Sequence, residues 1–351
     1  MKAPKDPTRR QFIRRTLTGA TLLGLGSATG ALVPSSAPAA PAAPKPGRTL
    51  GKEFSYNLSA LTQVDSALVR YDETGKIATG FETVSSLAIS SDDRVYVAGD
   101  RAIRIFSKAG QRLSELAMAD QPGCLALAKN GSIYVGMGNH VEVFNAQGSQ
   151  QAKWETLGNK AIVTALAVGD KDVFVADAGN RIVHRFDLFG KKLGVVGKKD
   201  LANSIVGFDV PSPYFDLAIG PDGLLWVVNP ARHRLEAYSF DGKFVRAWGE
   251  AANNIQGFCG CCNPVHFVRL ADGRFVTAEK GLPRVKIYSA EGTFECVVAG
   301  PQLFQKQLDN PKGVKICMDL AINSAGHILL ADAVSRDIRI FSPKSASEKR
   351  S

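Results

Sequence analysis

The sequence predicts an all-β chain folded as a six-bladed β-propeller. Six segments of one pattern recur between residues 67 and 343, at register positions Leu87, Leu125, Leu166, Leu217, Phe267 and Leu320. Their apolar runs are short and bounded by Gly, Asp and Asn, which suits strands rather than helices. A repeat of roughly 40–50 residues accommodates one four-stranded blade.

Each copy builds its elements in the same order. "VSSLAISSDDRVYVAGDRAIRIFSKAGQ" is the first and "CMDLAINSAGHILLADAVSRDIRIFSPKS" the last. A short apolar strand leads into a turn of the Pro-Asp-Gly kind, as in "GPDG" of the fourth copy, and a second apolar strand follows. A polar corner and an alternating third strand such as "RAIRIFS" complete the unit. The last copy stops after its third strand, at Ser342, whereas "ALVRYDETGKIATGF" near the start has outer-strand character and no inner partner. A strand within residues 67–81 is therefore expected to complete blade six and close the ring, which removes exposed sheet edges.

Outside the repeats, residues 1–39 read as a cleaved leader, 40–66 as a Pro/Ala-rich linker with an N-terminal extension, and 344–351 as a polar tail. Half of the net charge of +10 lies in the leader, which has six Lys/Arg against one Asp. The remainder is mildly basic, with no Lys/Arg-dense stretch before the tail, so a nucleic-acid partner is not expected. The weakly apolar segment from Leu17 to Val33 is too short and too poor in large side chains for a stable membrane anchor. Ala37-Pro38-Ala39 supplies the small residues of a cleavage site. Thr8-Arg9-Arg10-Gln11-Phe12-Ile13-Arg14 resembles a twin-arginine export signal. That resemblance implies the Tat translocase as a partner during export, a periplasmic or otherwise extracytoplasmic location, and passage in the folded state. Val173-Phe174-Val175-Ala176-Asp177-Ala178-Gly179-Asn180-Arg181-Ile182 resembles the NHL-repeat family of β-propellers, with the other five copies matching more loosely.

In a propeller the first strand of each blade lines the central channel. The column before the register positions is Ser86, Cys124, Ala165, Asp216, His266 and Asp319, so one thiol, one imidazole and two carboxylates are expected in one ring. The column two residues earlier is Val84, Pro122, Val163, Tyr214, Pro264 and Cys317. The loop "GFCGCC", with Cys259, Cys261 and Cys262, enters blade five on the same face. Five of six cysteines thus map to one rim, Cys296 being the exception. Asp177, Asn229, Glu279 and Asp332 end the second strands and read as corner residues that satisfy backbone N–H groups. His140, His184, His233 and His327 read as surface residues.

Two readings of the cysteines stand beside each other. Three structural disulfides suit an exported chain, although a propeller of this size has core enough without staples, and joining the neighbours Cys261 and Cys262 demands a strained geometry. A thiolate site would instead gather Cys259, Cys261 and Cys262 with Cys317 or His266 around a metal ion or iron–sulfur cluster, zinc and copper included, with Cys124, Asp216 and Asp319 nearby. A catalytic or regulatory dithiol is a further possibility. The corresponding functions are a redox or metal-cofactor protein of the cell envelope, with a redox or protein partner at the rim; a metal-dependent lyase or hydrolase; and a non-catalytic binding propeller. The resemblance to NHL-type propellers brings in the peptidyl-hydroxyglycine amidating lyases, whose metal ligands are a histidine set. Only His266 stands at the matching ring here. The chain shows no nucleophile elbow, zinc-binding HExxH helix, phosphate-binding glycine loop or dinucleotide fingerprint.

Overall fold

A computed structural model describes residues 61–203, 205–308 and 318–345. The leader, most of the linker and Cys317 lie outside the described residues.

Strand β1 (Tyr71–Ala78) precedes blade one, which comprises β2 (Val84–Ile89), β3 (Val95–Gly99), β4 (Ala102–Phe106) and β5 (Arg112–Ala117). Blade two holds β6 (Cys124–Leu127), β7 (Ile133–Met137), β8 (His140–Phe144) and β9 (Gln150–Lys153); blade three holds β10 (Val163–Val168), β11 (Asp172–Asp177), β12 (Ile182–Asp187) and β13 (Lys192–Val196). Blade four is β14 (Leu217–Ile219), β15 (Leu225–Asn229), β16 (Arg234–Tyr238) and β17 (Phe244–Trp248). Blade five is β18 (His266–Arg269), β19 (Phe275–Glu279), β20 (Arg284–Tyr288) and β21 (Phe294–Ala299), and blade six contributes β22 (Leu320–Ile322), β23 (Ile328–Asp332) and β24 (Asp337–Pro343). Each blade is an antiparallel four-stranded sheet, and the sixth has the order β1-β24-β23-β22. The N-terminal strand therefore supplies the outer strand of blade six, as the unpaired "ALVRYDETGKIATGF" segment predicts. It pairs from Tyr71 opposite Pro343 to Ala78 opposite Asp337.

The core consists of wedges between successive blades. Tyr96 and Ile103 of blade one pack with Leu125 and Phe144 of blade two. Val265 and Ile287 of blade five pack with Leu320 and Phe341 of blade six. Leu329 and Ile338 of blade six pack with Leu87 and Val97 of blade one, so the ring is closed by side chains as well as by β1. Because both faces of a blade are covered by neighbours, the second strands are buried along their whole length, from β3 to β23. This is why they read as unbroken apolar runs. Outer strands β5, β9 and β17 meet solvent and are correspondingly polar or mixed. The first hairpin turns place Gly131, Gly223, Gly273 and Gly326 at positive φ, where a Cβ is disfavoured; Asp93 takes that conformation in blade one.

Candidate functional site at the channel mouth

Inner strands begin at the channel, and the first residues of those in blades one, two and five are held by side chains of the blade before. The Asp319 carboxylate of blade six accepts from the Leu87 N–H (2.9 Å) and the Ser86 hydroxyl (2.7 Å) of blade one. Ser86 Oγ accepts from the Leu125 N–H of blade two (3.2 Å). Asp216 of blade four accepts from the Phe267 N–H of blade five (2.9 Å) and from its own neighbour Leu217 (2.9 Å). Asp319 likewise accepts from Leu320 (2.8 Å). Three of the six ring residues are thus seams that satisfy backbone donors the ladders leave open.

The ring expected from the register is assembled as predicted: Ser86, Cys124, Ala165, Asp216, His266 and Asp319 all line one cavity of about 290 Å³. His266 of blade five stands between the carboxylates of blades four and six. Its Nδ1 lies 3.4 Å from Asp216 Oδ2 and 3.7 Å from Asp319 Oδ1. Burial pushes the Asp319 carboxyl up; the His266 ring pulls against this and the charge of Asp216 adds to it. A second cavity of about 400 Å³ shares Ser85, Thr164 and His266 with the first and is walled by Pro122, Val163 and Tyr214. His266 therefore borders both spaces.

The cysteine loop sits beside this mouth. Its backbone is fastened from below by a buried charge cluster: Glu279, Arg284 and Lys286 are nearly or wholly inaccessible. Lys286 Nζ donates to the carbonyls of Ile255 (3.0 Å) and Gly257 (2.7 Å) and pairs with Glu279 (2.8 Å). Arg284 donates to the Asn254 and Gly257 carbonyls and to Glu279, and the Tyr288 hydroxyl donates to Gln256 O. Burial pulls the Lys286 ammonium down to about 8 even though Glu279 opposes it. Higher in the loop, the Cys259 N–H donates to Glu279 (3.0 Å), and Asn263 Nδ2 donates to the carbonyls of Cys259 and Lys280. The ring of His233, in the corner of blade four, contacts Gly260 O.

The thiols do not converge. Cys259 is half-buried and directed to Asn253 (3.5 Å), while Cys261 is exposed and Cys262 buried, their sulfurs 3.4 Å apart. Cys124 is buried in the channel ring and Cys296 in β21. None of these five is bonded to another in a disulfide. Among the described residues no three His, Cys, Asp or Glu side chains gather as metal ligands. The described residues therefore give no support to a metal ion or cluster held by Cys259, Cys261, Cys262 and His266, Cys317 lies outside them, and the carboxylates of Asp216 and Asp319 are engaged as seams.

The corner reading is borne out. Asp177 accepts from the Ile162 and Asn180 N–H groups, Asn229 from the Asp209 N–H, and Asp332 from the Val334 and Ser335 N–H groups. Each corner also meets a charged or polar third-strand residue seven positions on: His184, Glu236, Lys286 and Arg339. One correction follows. His184 is not a surface residue; it is 3% exposed, with Nε2 3.2 Å from Asp177 Oδ2. The sequence signal for these inward charges was their place among alternating apolar residues, as in "RVKIY".

No protein-family model matches the sequence, and no curated protein matches it. Solved structures do. A streptogramin B lyase superposes with a TM-score of 0.55 at 10% identity, over 80% of this chain and 100% of the other. These likenesses establish the propeller fold. A Bacteroides thetaiotaomicron protein of unknown function gives 0.55 at 15% identity, over 78% and 72% of the two chains. A catalytically inactive histidine-to-alanine variant of virginiamycin B lyase from Staphylococcus aureus, with quinupristin, gives 0.50 at 15%, over 74% and 80%.

Proposed function

We propose that this chain is an exported propeller that binds a small ligand at its channel mouth and performs general acid–base chemistry there, of the lyase or hydrolase class, with His266 as the base. One observation carries the reading: an imidazole held between two carboxylates in a wall shared by two cavities. A carboxylate 3.4 Å from Nδ1 favours the proton on that nitrogen and makes Nε2 the basic atom of the ring, the roles of a base and its orienting group. Asp216 and Asp319 are fixed by backbone N–H groups, so they set the ring's direction without rearranging.

The lyase neighbours, one of them inactivated by loss of a histidine, support this by analogy of fold alone. Export rests on the resemblance of the segment around Arg9 and Arg10 to a twin-arginine signal, with the Tat translocase as the transport partner and the periplasm as the destination.

The test is turnover of quinupristin and of a panel of esters and amides by the purified protein, beside His266→Ala. The expected result is product formation that falls by about 100-fold or more in the variant, the range for loss of a general base. Equal rates for the two proteins, or no turnover of any member, would overturn the assignment.

A further inference from the structure

The exposed Cys261 and the buried Cys262 are the only two thiols among the described residues whose sulfurs touch, at 3.4 Å. The loop that carries them is held rigidly. Asn263 clamps Cys259 to Lys280 on one side, and Arg284, Lys286 and Tyr288 fix the backbone from Asn254 to Gly257 below. Gly260, at a φ of 87°, makes the turn that presents the pair. Lys280, whose ammonium lies 4.4 Å from the ring centroid of Tyr214, ties this loop to the wall of the channel mouth.

We propose that Cys261 and Cys262 form a reversible dithiol–disulfide centre on the channel rim, which exchanges with low-molecular-weight thiols and disulfides of the glutathione type. The site is distinct from the His266 ring and does not depend on the acid–base reading. Adjacent cysteines close a small, strained ring when bonded to each other. Strain makes a disulfide easy to reduce, and strained, exposed disulfides are the labile ones rather than the structural ones. The spacing that argues against a staple thus argues for an exchange site.

The steps balance with a disulfide as the oxidant. The exposed Cys261, as thiolate, attacks one sulfur of the oxidised partner, forming a mixed disulfide and releasing one thiolate. Cys262 then gives up its proton and displaces the second partner thiolate, and the Cys261–Cys262 bond forms. Two electrons and two protons pass to the partner, which leaves as two thiols. The reverse sequence reduces the Cys261–Cys262 bond and releases two incoming thiols as their disulfide. Burial pushes the Cys262 thiol up, against the pull of the neighbouring Ser212 hydroxyl and Lys280 ammonium. Cys261 is accordingly the first to exchange, and Cys262 resolves.

The experiment equilibrates the purified full-length protein over a series of reduced-to-oxidised glutathione ratios, quenches with acid, alkylates, and maps each cysteine by peptide mass. Cys261 and Cys262 should pass together from alkylated to a bonded pair two hydrogens lighter, and return on adding reduced glutathione. Cys261→Ser and Cys262→Ser should each abolish the paired transition, while Cys124 and Cys296 stay reduced throughout. Three outcomes would overturn the proposal: both thiols still alkylated at the oxidised end, glutathione left as a stable mixed disulfide on either one, or a bond from either one to a different cysteine.

Discussion

Replacing Asp177 by Asn isolates the charge of one corner while keeping its shape. Asp177 is wholly buried and accepts from the Ile162 N–H (3.0 Å), the Asn180 N–H (3.0 Å) and Asn180 Nδ2 (2.7 Å), with His184 Nε2 at 3.2 Å. Burial alone would raise its carboxyl. The hydrogen bonds from His184, Asn180 and the backbone outweigh this and hold it at about 2 rather than 3.8. A folded value below the unfolded one stabilises the protein above the unfolded value, and the contribution is lost as pH falls through the folded value. At neutral pH it amounts to about 2 kcal/mol. Asp177→Asn should therefore lower the melting temperature at neutral pH by about 5 °C. The corner itself should survive, since Asn229 plays the same part in blade four. The assay is thermal unfolding followed by circular dichroism from neutral pH down to about pH 2.5, where the difference from wild type should shrink to less than half. A difference that is constant with pH, or absent at neutral pH, would refute the linkage.

Other consequences follow from the same framework. Deleting residues 40–60 should leave unfolding cooperative, whereas deleting 40–82 strips β1 from β24 and should yield aggregates by light scattering. Asp319→Ala frees the N–H groups of Leu87 and Leu320 and the Ser86 hydroxyl, and should cost about 3 kcal/mol in urea unfolding. Lys286, held down at about 8 by burial, adds stability above its unfolded value that is lost as pH falls through 8. Wild-type melting temperature should therefore rise, relative to that of Lys286→Met, between about pH 8 and about pH 10.

The fold was legible because a propeller repeats one local solution six times. Register positions alone brought Ser86, Cys124, Ala165, Asp216, His266 and Asp319 to one cavity, and the orphan outer strand near the start named its own partner. What single-blade reasoning could not reach were contacts that cross a seam. Asp216 and Asp319 look like ligands within their own strands, and only the N–H groups of the next blade show why a carboxylate stands there. The burial of Arg284 and Lys286 was out of reach for the same reason, since the loop whose carbonyls they bind lies about 30 residues away in sequence. The cysteine loop has no periodicity to constrain it. Its three thiols could be placed on the rim, but their directions depended on the clamps of Asn263 and Glu279.

The central claim, that His266 is set up as a base by the flanking carboxylates, is tested most directly by its tautomer. In selectively ¹⁵N-histidine-labelled protein, with His266→Gln used to assign the signal, the ring nitrogens can be read at neutral pH. The account predicts a neutral ring with its proton on Nδ1 and an unprotonated Nε2, shifting towards the other tautomer in Asp216→Asn. A proton resident on Nε2, or a ring doubly protonated at neutral pH, would contradict it.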